Sequence, residues 1–238
     1  MIALRDGIYR ARQWGGTLQR LVRAEHDTAT TRFNDGKADP LGRFWAGTIY
    51  EPRDAAKAQL FSLDCRGGGA PALTLKANEA TTANGLAWSP DGGTLYWADT
   101  SSHIIRAWDW DGPNNTMTGE RVFHQWPRKP EGWQPGSPGY AGRPDGAAID
   151  VQGNYYAAMY EGGQLVKLSP SGEVLQEIAV PAQCPTMPCF GGDDLKTLYL
   201  TTARQKRSAR ELQIYPDSGC VFSMRVDVPG LPVNFFQD

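Results

Sequence analysis

The sequence lacks long apolar runs, long helix-forming stretches and blocks of like charge. No run approaches the ~20 apolar residues that a membrane-spanning helix needs, and the residues that follow Met1 lack the apolar core of a signal peptide. For the chain as it begins here, we therefore expect a cytoplasmic protein that has no membrane partner. The formal net charge is -2, and no basic stripe indicates binding to nucleic acid.

Common motifs of zinc binding and of nucleophilic catalysis are also missing. The four cysteines form no Cys-x-x-Cys pair, and no histidine lies near them at zinc-ligand spacing. We expect free, mostly buried thiols at these positions, which are Cys65, Cys184, Cys189 and Cys220. The sequence has no Gly-x-Ser-x-Gly motif, and this argues against a serine-esterase mechanism.

What the sequence does contain is abundant glycine, proline and aromatic residues arranged in a repeat. Four segments combine a glycine-containing polar turn with a short apolar strand, which predicts a β-hairpin in each: they are residues 39–45, 89–97, 150–156 and 190–199. A third strand is predicted after each hairpin, at residues 59–63, 104–110, 164–168 and 221–224, and a fourth strand at residues 173–180. Units of four strands and about 40–50 residues are typical of β-propeller blades, whereas a β-sandwich would lack this longer period. We predict an all-β chain whose residues 1–238 form a single β-propeller domain.

Polar residues stand just before three of these hairpins, each ahead of a glycine. They occur in Asn34-Asp35-Gly36, in Asn84-Gly85 and in Asp145-Gly146, about one blade apart. Because the first strand of every propeller blade lines the central channel, these side chains are predicted to meet around one axis. Their oxygen atoms are hard ligands, suited to Ca²⁺, Mg²⁺ or Mn²⁺ and usable by Zn²⁺. Turn formation alone is the alternative for any single motif, but the repeat period favours a shared metal site.

Longer stretches of the sequence match a known family. The run Arg32-Phe-Asn-Asp-Gly-Lys-Ala-Asp-Pro-Leu-Gly-Arg-Phe-Trp-Ala-Gly-Thr48 resembles a signature of the regucalcin/gluconolactonase family, of the senescence-marker-protein type. Asn84-Gly-Leu-Ala-Trp-Ser89, Pro144-Asp-Gly-Ala-Ala-Ile-Asp150 and Cys189-Phe-Gly-Gly192 match in the same order, so that the resemblance covers nearly the whole chain. It implies a six-bladed β-propeller that binds one divalent metal ion and hydrolyses sugar lactones such as gluconolactone.

The resemblance also implies roles for individual residues. The family's metal-binding Asn and Asp fall on Asn84 and Asp145, and its sugar-binding Arg and Asn fall on Arg32 and Asn34. Glu51, shortly after the Ala-Gly-Thr sequence, is the nearest candidate for an acidic substrate contact. We predict that a divalent ion (Ca²⁺, Zn²⁺, Mn²⁺ or Mg²⁺) acts as Lewis acid on the lactone. Asp145 is predicted to be the general base, although a role as metal ligand alone is equally compatible with its position.

The match to the family begins in its second blade. Residues 2–9 resemble a strand pair from that blade, and the family's Gly-Glu-Gly-Pro-like motif, which supplies a Glu as third metal ligand, has no counterpart. Six blades of ~45 residues require about 270 residues, whereas this chain has 238. We therefore expect about five blades, weaker metal binding and impaired activity. Either the sequence starts late or a blade has been lost, and we expect a monomer or weak homo-oligomer.

Two other functions stay open at this point. The same fold could serve as a calcium-binding or ligand-binding propeller without turnover, which the missing Glu favours. It could also carry a phosphotriesterase-like esterase, because the same metal ion and carboxylate suit that reaction. The pair of Arg32 and Asn34 favours a polar, sugar-like substrate over a hydrophobic phosphotriester.

Further polar and aromatic positions have two interpretations each. The Pro/Gly-rich segment 126–140 precedes Asp145 and is predicted either as a lid over the site or as a passive linker. Trp45 and Trp97 lie on second strands, which favours packing between blades over stacking on a sugar. Asp99, at a strand end, could reach the channel rim or cap a turn.

Overall fold

The computed structural model describes all 238 residues, and nearly all of its regular structure is β-strand. Eighteen strands form five antiparallel sheets that follow one another along the chain. The all-β class is therefore as predicted. The α-helix α1 (Ala209–Ile214) is six residues long, and no helix has the length and apolarity that crossing a membrane requires.

Each sheet is a meander in which strands adjacent in sequence are hydrogen-bonded neighbours. The first sheet contains β1 (Ile2–Leu4), β2 (Gly7–Arg10) and β3 (Gln19–Arg23). The second contains β4 (Thr31–Ala38), β5 (Phe44–Tyr50), β6 (Ala58–Asp64) and β7 (Ala72–Ala80). The third contains β8 (Ala83–Trp88), β9 (Thr94–Asp99), β10 (Ile104–Asp111) and β11 (Thr116–Gln125). The fourth contains β12 (Arg143–Ile149), β13 (Tyr155–Tyr160), β14 (Gln164–Leu168) and β15 (Val174–Ala179), and the fifth contains β16 (Pro185–Gly191), β17 (Thr197–Thr202) and β18 (Val221–Arg225).

The turns between first and second strands explain why the predicted hairpins form. In the turn before β5, Asp39 Oδ1 accepts hydrogen bonds from the backbone N–H groups of Leu41 and Arg43, at 2.8 and 2.9 Å. Asp150 repeats this arrangement before β13, and the glycine of each turn has a positive φ, 91° at Gly42 and 82° at Gly153. Asx turns with glycine at the left-handed position are a local sequence signal. All four predicted hairpins, their third strands and the fourth strand near residues 173–180 are confirmed.

The hydrophobic core lies between successive sheets. Sheets two and three enclose a group of buried tryptophans, in which Trp45 and Trp97 are 0% and 1% exposed. Trp45 packs edge to face against Trp88 with ring centroids 5.7 Å apart. Sheets three and four enclose a second cluster that includes Tyr96 and Tyr155, whose centroids are 5.5 Å apart. Packing between sheets is thus the role of both second-strand tryptophans, as predicted.

Residues 229–238 follow the fifth sheet and contact three others. The Leu231 N–H donates to the carbonyl oxygen of Ile149 on β12 at 3.0 Å. Asn234 Nδ2 donates to the carbonyl oxygen of Ala38 on β4 at 3.2 Å, and Asp238 forms an ion pair with Arg10 on β2. This C-terminal segment therefore links the fourth, second and first sheets at one end of their strands.

Candidate functional site

The first strands of the sheets bring the predicted site residues together. β4 packs beside β8, β8 beside β12 and β12 beside β16. Each of these strands has a bulge in its pairing with the second strand of its sheet: it lies between Phe33 and Gly36 in β4, Asn84 and Ala87 in β8, Pro144 and Ala147 in β12, and Pro185 and Met187 in β16. A bulge turns side chains away from the regular alternation of a strand, and bulges are frequent beside active sites. Asn34, Asn84 and Asp145 all stand at these irregularities.

A continuous series of hydrogen bonds crosses the three sheets that carry these residues. Asn34 Nδ2 donates to Asn84 Oδ1 at 3.0 Å. Asn84 Nδ2 donates to Thr100 Oγ1 at 2.7 Å, and Thr100 Oγ1 donates to the carbonyl oxygen of Pro144 at 2.6 Å. Asp145 follows Pro144 directly. The side-chain amide of Asn84, 6% exposed, is therefore oriented by a donor on one side and an acceptor on the other.

Arg32 and Glu51 extend this series to the rim of the site. Arg32 Nη1 donates to Asn34 Oδ1 at 3.2 Å, and Arg32 Nε donates to Glu51 Oε1 at 3.3 Å. The other oxygen of Glu51 forms an ion pair with Arg5 at 2.9 Å. Arg5 and Arg32 hold the pKa of Glu51 below its ordinary value, so that the carboxylate is charged at neutral pH. Four of the five predicted site residues are thus joined by direct hydrogen bonds.

Asp145 is the member of the site that has no polar partner in the chain. Its side chain is half-buried. Burial, and after it the charge of Asp35, raise the pKa of the Asp145 carboxyl to about 8, and the charge of Arg143 partly opposes this rise. No hydrogen bond to a protein donor contributes to this balance. A carboxylate in this environment gains from any cation that approaches it.

The donor atoms of Asn84 and Asp145 fit a divalent metal ion. The side-chain oxygen of Asn84 accepts one hydrogen bond, from Asn34, and keeps a second lone pair, and the Asp145 carboxylate accepts none from a protein donor. An amide oxygen with a carboxylate is the hard donor set that Ca²⁺, Mg²⁺ and Mn²⁺ prefer. No group of three or more His, Cys, Asp or Glu side chains in the structure is placed to hold a metal ion. Besides Asp145, an ion at this position would therefore depend on the amide oxygen of Asn84 and on ligands that are not His, Cys, Asp or Glu side chains.

Asp35 and Thr100 belong to the site although they were not predicted as functional residues. Asp35 Oδ2 accepts a hydrogen bond from the Leu86 N–H at 3.2 Å, and burial raises the pKa of its carboxyl. Its position in the Asn-Asp-Gly motif was a sequence signal that could have identified it. Thr100 stands after β9, outside every motif of the sequence, so that only the fold reveals its contact with Asn84.

The expectations for Asp99 and for the cysteines have clear outcomes. Asp99 caps the turn that follows β9, since its side chain accepts from the N–H groups of Thr82 and Ser101 at 2.9 and 3.3 Å. It does not reach the rim of the site through these contacts. All four cysteines are free, but the prediction of mostly buried thiols is only half right: Cys65 and Cys184 are buried, whereas Cys189 and Cys220 are exposed.

The Pro/Gly-rich segment 126–140 is attached at the same strand ends as the site. The hydroxyl of Tyr140 and the His103 ring Nε2 are hydrogen-bonded at 2.8 Å. Lys129 Nζ donates to both carboxylate oxygens of Glu161 at 3.2 Å, and the Gly136 N–H donates to Gln183 Oε1 at 3.0 Å. The segment is therefore fixed to residues that follow or precede strands of the third, fourth and fifth sheets, an attachment that a lid and a linker would share.

A cavity of about 600 Å³ lies at the opposite ends of the first strands. Most of its lining is apolar, including Trp88, Phe190 and Leu231, and the C-terminal segment covers part of it. Lys37 lines its inner side, and its ammonium donates to the carbonyl oxygen of Ala147 at 2.9 Å. Because this cavity is separate from the polar residues described above, it does not define the candidate site.

Comparison with known proteins agrees with the resemblance found in the sequence. Residues 1–204 match the family described as the SMP-30/Gluconolactonase/LRE-like region. A Pseudomonas putida protein named 6-deoxy-6-sulfogluconolactonase is 43% identical over 238 residues, which cover 99% of this chain and 76% of that protein. Regucalcin of Danio rerio is 32% identical over 212 residues, covering 87% of this chain and 66% of regucalcin. The predicted family is confirmed.

Solved structures show the same fold. The calcium-binding protein regucalcin from Agrobacterium tumefaciens superposes with a TM-score of 0.85 at 24% sequence identity. The superposition covers 99% of this chain and 75% of that protein. The order of the five sheets is therefore shared with a larger protein of this type.

Proposed function

The chain belongs to the SMP-30/gluconolactonase/LRE-like family, and from this premise we propose that it is a metal-dependent hydrolase of sugar lactones. The observation that carries the proposal is the series of hydrogen bonds from Glu51 through Arg32, Asn34 and Asn84. It brings together a guanidinium, two side-chain amides and a carboxylate, and these groups together can donate to and accept from the hydroxyl groups of a sugar lactone. The name of the Pseudomonas putida relative supports a sugar lactone as substrate and adds that this lactone can carry a sulfonate.

Five sheets with adjacent first strands are, in our proposal, blades of an incomplete six-bladed β-propeller. The packing of β4, β8, β12 and β16 side by side supports this arrangement. In a propeller the first strands line the central channel, so equivalent residues of different blades face one another. The proposal explains why Asn34, Asn84 and Asp145 converge although they are far apart in sequence.

Asn84 and Asp145 are the residues that would hold the metal ion. When bound there, a divalent ion supplies Lewis acidity and lowers the pKa of a bound water. Arg32 and Asn34 bind hydroxyl or ring oxygens of the sugar and fix its orientation. Glu51 holds the guanidinium of Arg32 in place through the ion pair at 3.3 Å.

Asp145 moves the proton in the proposed reaction. Its carboxylate accepts a proton from the attacking water as the water oxygen bonds to the lactone carbonyl carbon. The bond between that carbon and the ring oxygen then breaks, and Asp145 returns the proton to the departing ring oxygen. The product is an open-chain hydroxy acid, and the carboxylate of Asp145 is regenerated.

Hydrolysis of a panel of aldonolactones, followed by a pH indicator, tests the proposed function. We expect activity that a chelator removes and that Ca²⁺, Zn²⁺, Mn²⁺ or Mg²⁺ restores. Asp145→Ala and Asn84→Ala should each lower kcat/KM at least about 100-fold, because each removes one of the metal-binding side chains. Asp194→Ala, which removes an exposed carboxylate paired with Arg225, is the matched control and should leave kcat/KM within about twofold.

Two results would contradict this function. Activity that survives in Asp145→Ala with metal present would exclude the mechanism. Metal binding measured by calorimetry, without hydrolysis of any lactone, would instead identify a ligand-binding protein on the same fold.

A further inference from the structure

The rim of the site carries two similar pairs of charged residues. In the second sheet, Arg32 near the start of β4 is paired with Glu51, which directly follows β5. In the fourth sheet, Arg143 at the start of β12 is paired with Glu161, which directly follows β13, at 3.0 Å. Arg32 stands two residues before Asn34, and Arg143 stands two residues before Asp145. The fourth sheet therefore presents a cation at the place where the second sheet presents the proposed sugar-binding arginine.

The pair in the fourth sheet is the centre of a larger cationic cluster. Besides Arg143, Glu161 contacts Lys129 Nζ at 3.2 Å and Arg207 Nη2 at 3.4 Å. Arg207 also donates to both oxygens of Glu211, at 2.7 and 2.6 Å. Three cations thus share two carboxylates. We call Lys129, Arg143, Glu161, Arg207 and Glu211 the Glu161 cluster.

Within the Glu161 cluster the cations are outermost and the carboxylates lie beneath them. The side chains of Lys129, Arg143 and Arg207 are 36%, 22% and 12% exposed, whereas those of Glu161 and Glu211 are 8% and 0% exposed. The surface that solvent meets is therefore positive, and the buried carboxylates orient the cations. The donors of Arg207 are engaged by Glu211, by Glu161 and by the Tyr160 hydroxyl. Lys129 and Arg143 are each paired with Glu161 alone and are the more exposed cations, so that they retain N–H donors for a ligand.

Aromatic rings further fix the positions of Lys129 and Arg143. The guanidinium of Arg143 lies 5.3 Å from the centroid of the Tyr160 ring, and Lys129 Nζ lies 4.9 Å from that of Trp133. The Nε atom of Arg143 is buried and has no hydrogen-bond partner. Arg143 stands on the same strand as Asp145, two residues before it, so that the anion site adjoins the proposed metal site.

We propose that Lys129 and Arg143, held by the Glu161 cluster, bind an anionic substituent of the sugar lactone, remote from the ester that is hydrolysed. This inference rests on the proposed function and narrows its substrate class to anionic lactones. A sulfonate, a phosphate monoester and a carboxylate share the required chemistry, because each accepts charge-assisted hydrogen bonds from an arginine and a lysine. Arg207 and Glu211 are positioning residues, since Arg207 holds Glu161 and Glu211 holds Arg207.

Hydrolysis of three lactones tests the assignment. The substrates are glucono-1,5-lactone, its 6-deoxy-6-sulfo derivative and its 6-phosphate, assayed with metal present. We expect kcat/KM to be at least about tenfold higher for an anionic lactone than for the neutral one, since a hydrogen bond to a charged group is worth about a tenfold change or more. The larger of the two anionic values identifies the sulfonate or the phosphate as the preferred group.

Single substitutions locate the binding group. Arg143→Gln and Lys129→Gln should each lower the ratio of anionic to neutral kcat/KM about tenfold, mainly by raising KM for the anionic lactone. Arg143→Lys should retain part of the ratio, because it keeps the charge and loses the planar geometry. Arg121→Gln removes a surface cation paired with Asp109 and should leave the ratio unchanged. If the ratio falls in Arg5→Gln and not in Arg143→Gln, the anion binds beside Arg5 in the second sheet's pair, and the proposal is overturned.

Binding of the open-chain products separates this inference from the proposed function. Calorimetry should show that 6-deoxy-6-sulfogluconate or 6-phosphogluconate binds at least about tenfold more tightly than gluconate, and that Arg143→Gln abolishes the difference. If the chain hydrolyses the neutral lactone but shows no preference for anions in either assay, the proposed function stands and this inference is wrong. If no lactone is hydrolysed, the lactonase fails, and equal binding of the three acids would overturn the anion site as well.

Discussion

Asp145 combines a functional position with an unfavourable environment. Its carboxyl is half-buried, lies near the charge of Asp35 and has no hydrogen-bond donor, so that its pKa is raised to about 8. An ionised carboxylate in such surroundings destabilises the folded state until a cation compensates for it. Structural stability alone would favour a neutral residue here, which supports a role in binding a metal ion.

The pH dependence of stability follows from the raised pKa. Between about pH 4 and pH 8, the folded chain binds the Asp145 proton and the unfolded chain does not, so the free energy of unfolding falls as pH rises. In the presence of a chelator, Asp145→Asn should therefore melt at a higher temperature than the unmodified protein at pH 9. At pH 4 the two melting temperatures should differ little.

Thermal melts at the two pH values with the chelator present measure this effect. Asp194→Asn is the control, because Arg225 lowers the pKa of the Asp194 carboxyl to about 2 and its stabilising effect has the opposite sign. This variant should not melt higher than the unmodified protein at pH 9. Equal melting temperatures for Asp145→Asn and the unmodified protein at pH 9 would show that Asp145 is well solvated.

The first strands position the site through their bulges and not through regular pairing. At the bulge of β8, Gly85 has a φ of 56°, and a methyl group there would lie 2.3 Å from the Tyr155 hydroxyl and 3.0 Å from the Asp145 carbonyl oxygen. The Tyr155 hydroxyl in turn donates to the Gly85 carbonyl oxygen at 2.6 Å. Glycine at this position therefore permits β8 and β12 to approach closely enough for Asn84 and Asp145 to share a site.

Gly85→Ala should damage both stability and catalysis. The control is Gly92→Ala, where φ is 69° and no atom lies within 4 Å of the added methyl group. Gly92→Ala should lower the free energy of unfolding by about 1 kcal/mol from backbone strain alone. Gly85→Ala should cost about 2 kcal/mol more, because the buried hydroxyl and the backbone must also move. Urea denaturation and lactone hydrolysis measure the two effects, and equal costs for both variants would contradict the close approach of the two strands.

The elements that local sequence specifies were predictable, whereas those that depend on distant contacts were not. Turn residues such as Asp39 and Asp150 determine the hairpins, and the period of these turns indicated the repeat. The positions of Asn84 and Asp145 came from the family resemblance together with that period. Thr100, Arg207 and Glu211 gave no signal, because their contacts join segments that share no motif.

The whole molecule is held together by the packing of each sheet against the next and by the C-terminal segment.

Removing residues 231–238 would uncover the apolar cavity, whose walls include Trp88 and Phe190. We expect the shortened chain to melt at least about 5 °C lower, since several kcal/mol of apolar burial would be lost, and to increase the fluorescence of a dye that binds exposed apolar surface. Trp14→Ala is the control, because that side chain is fully exposed and does not line the cavity, so that both measurements should be unchanged. Unaltered melting of the shortened chain would show that the sheets are stable without this segment.

The same segment has a consequence for the time course of folding. The meander sheets form from neighbouring strands, so that their loops are short and close quickly. The hydrogen bond from Asn234 to Ala38 joins residues 196 positions apart, and it can form only after the intervening sheets have taken their places. The sheets should therefore form, as tryptophan fluorescence would report, before the C-terminal segment docks. In that interval the apolar cavity should be accessible to dyes and to other unfolded chains. Aggregation during refolding would then depend on how fast this last contact is made.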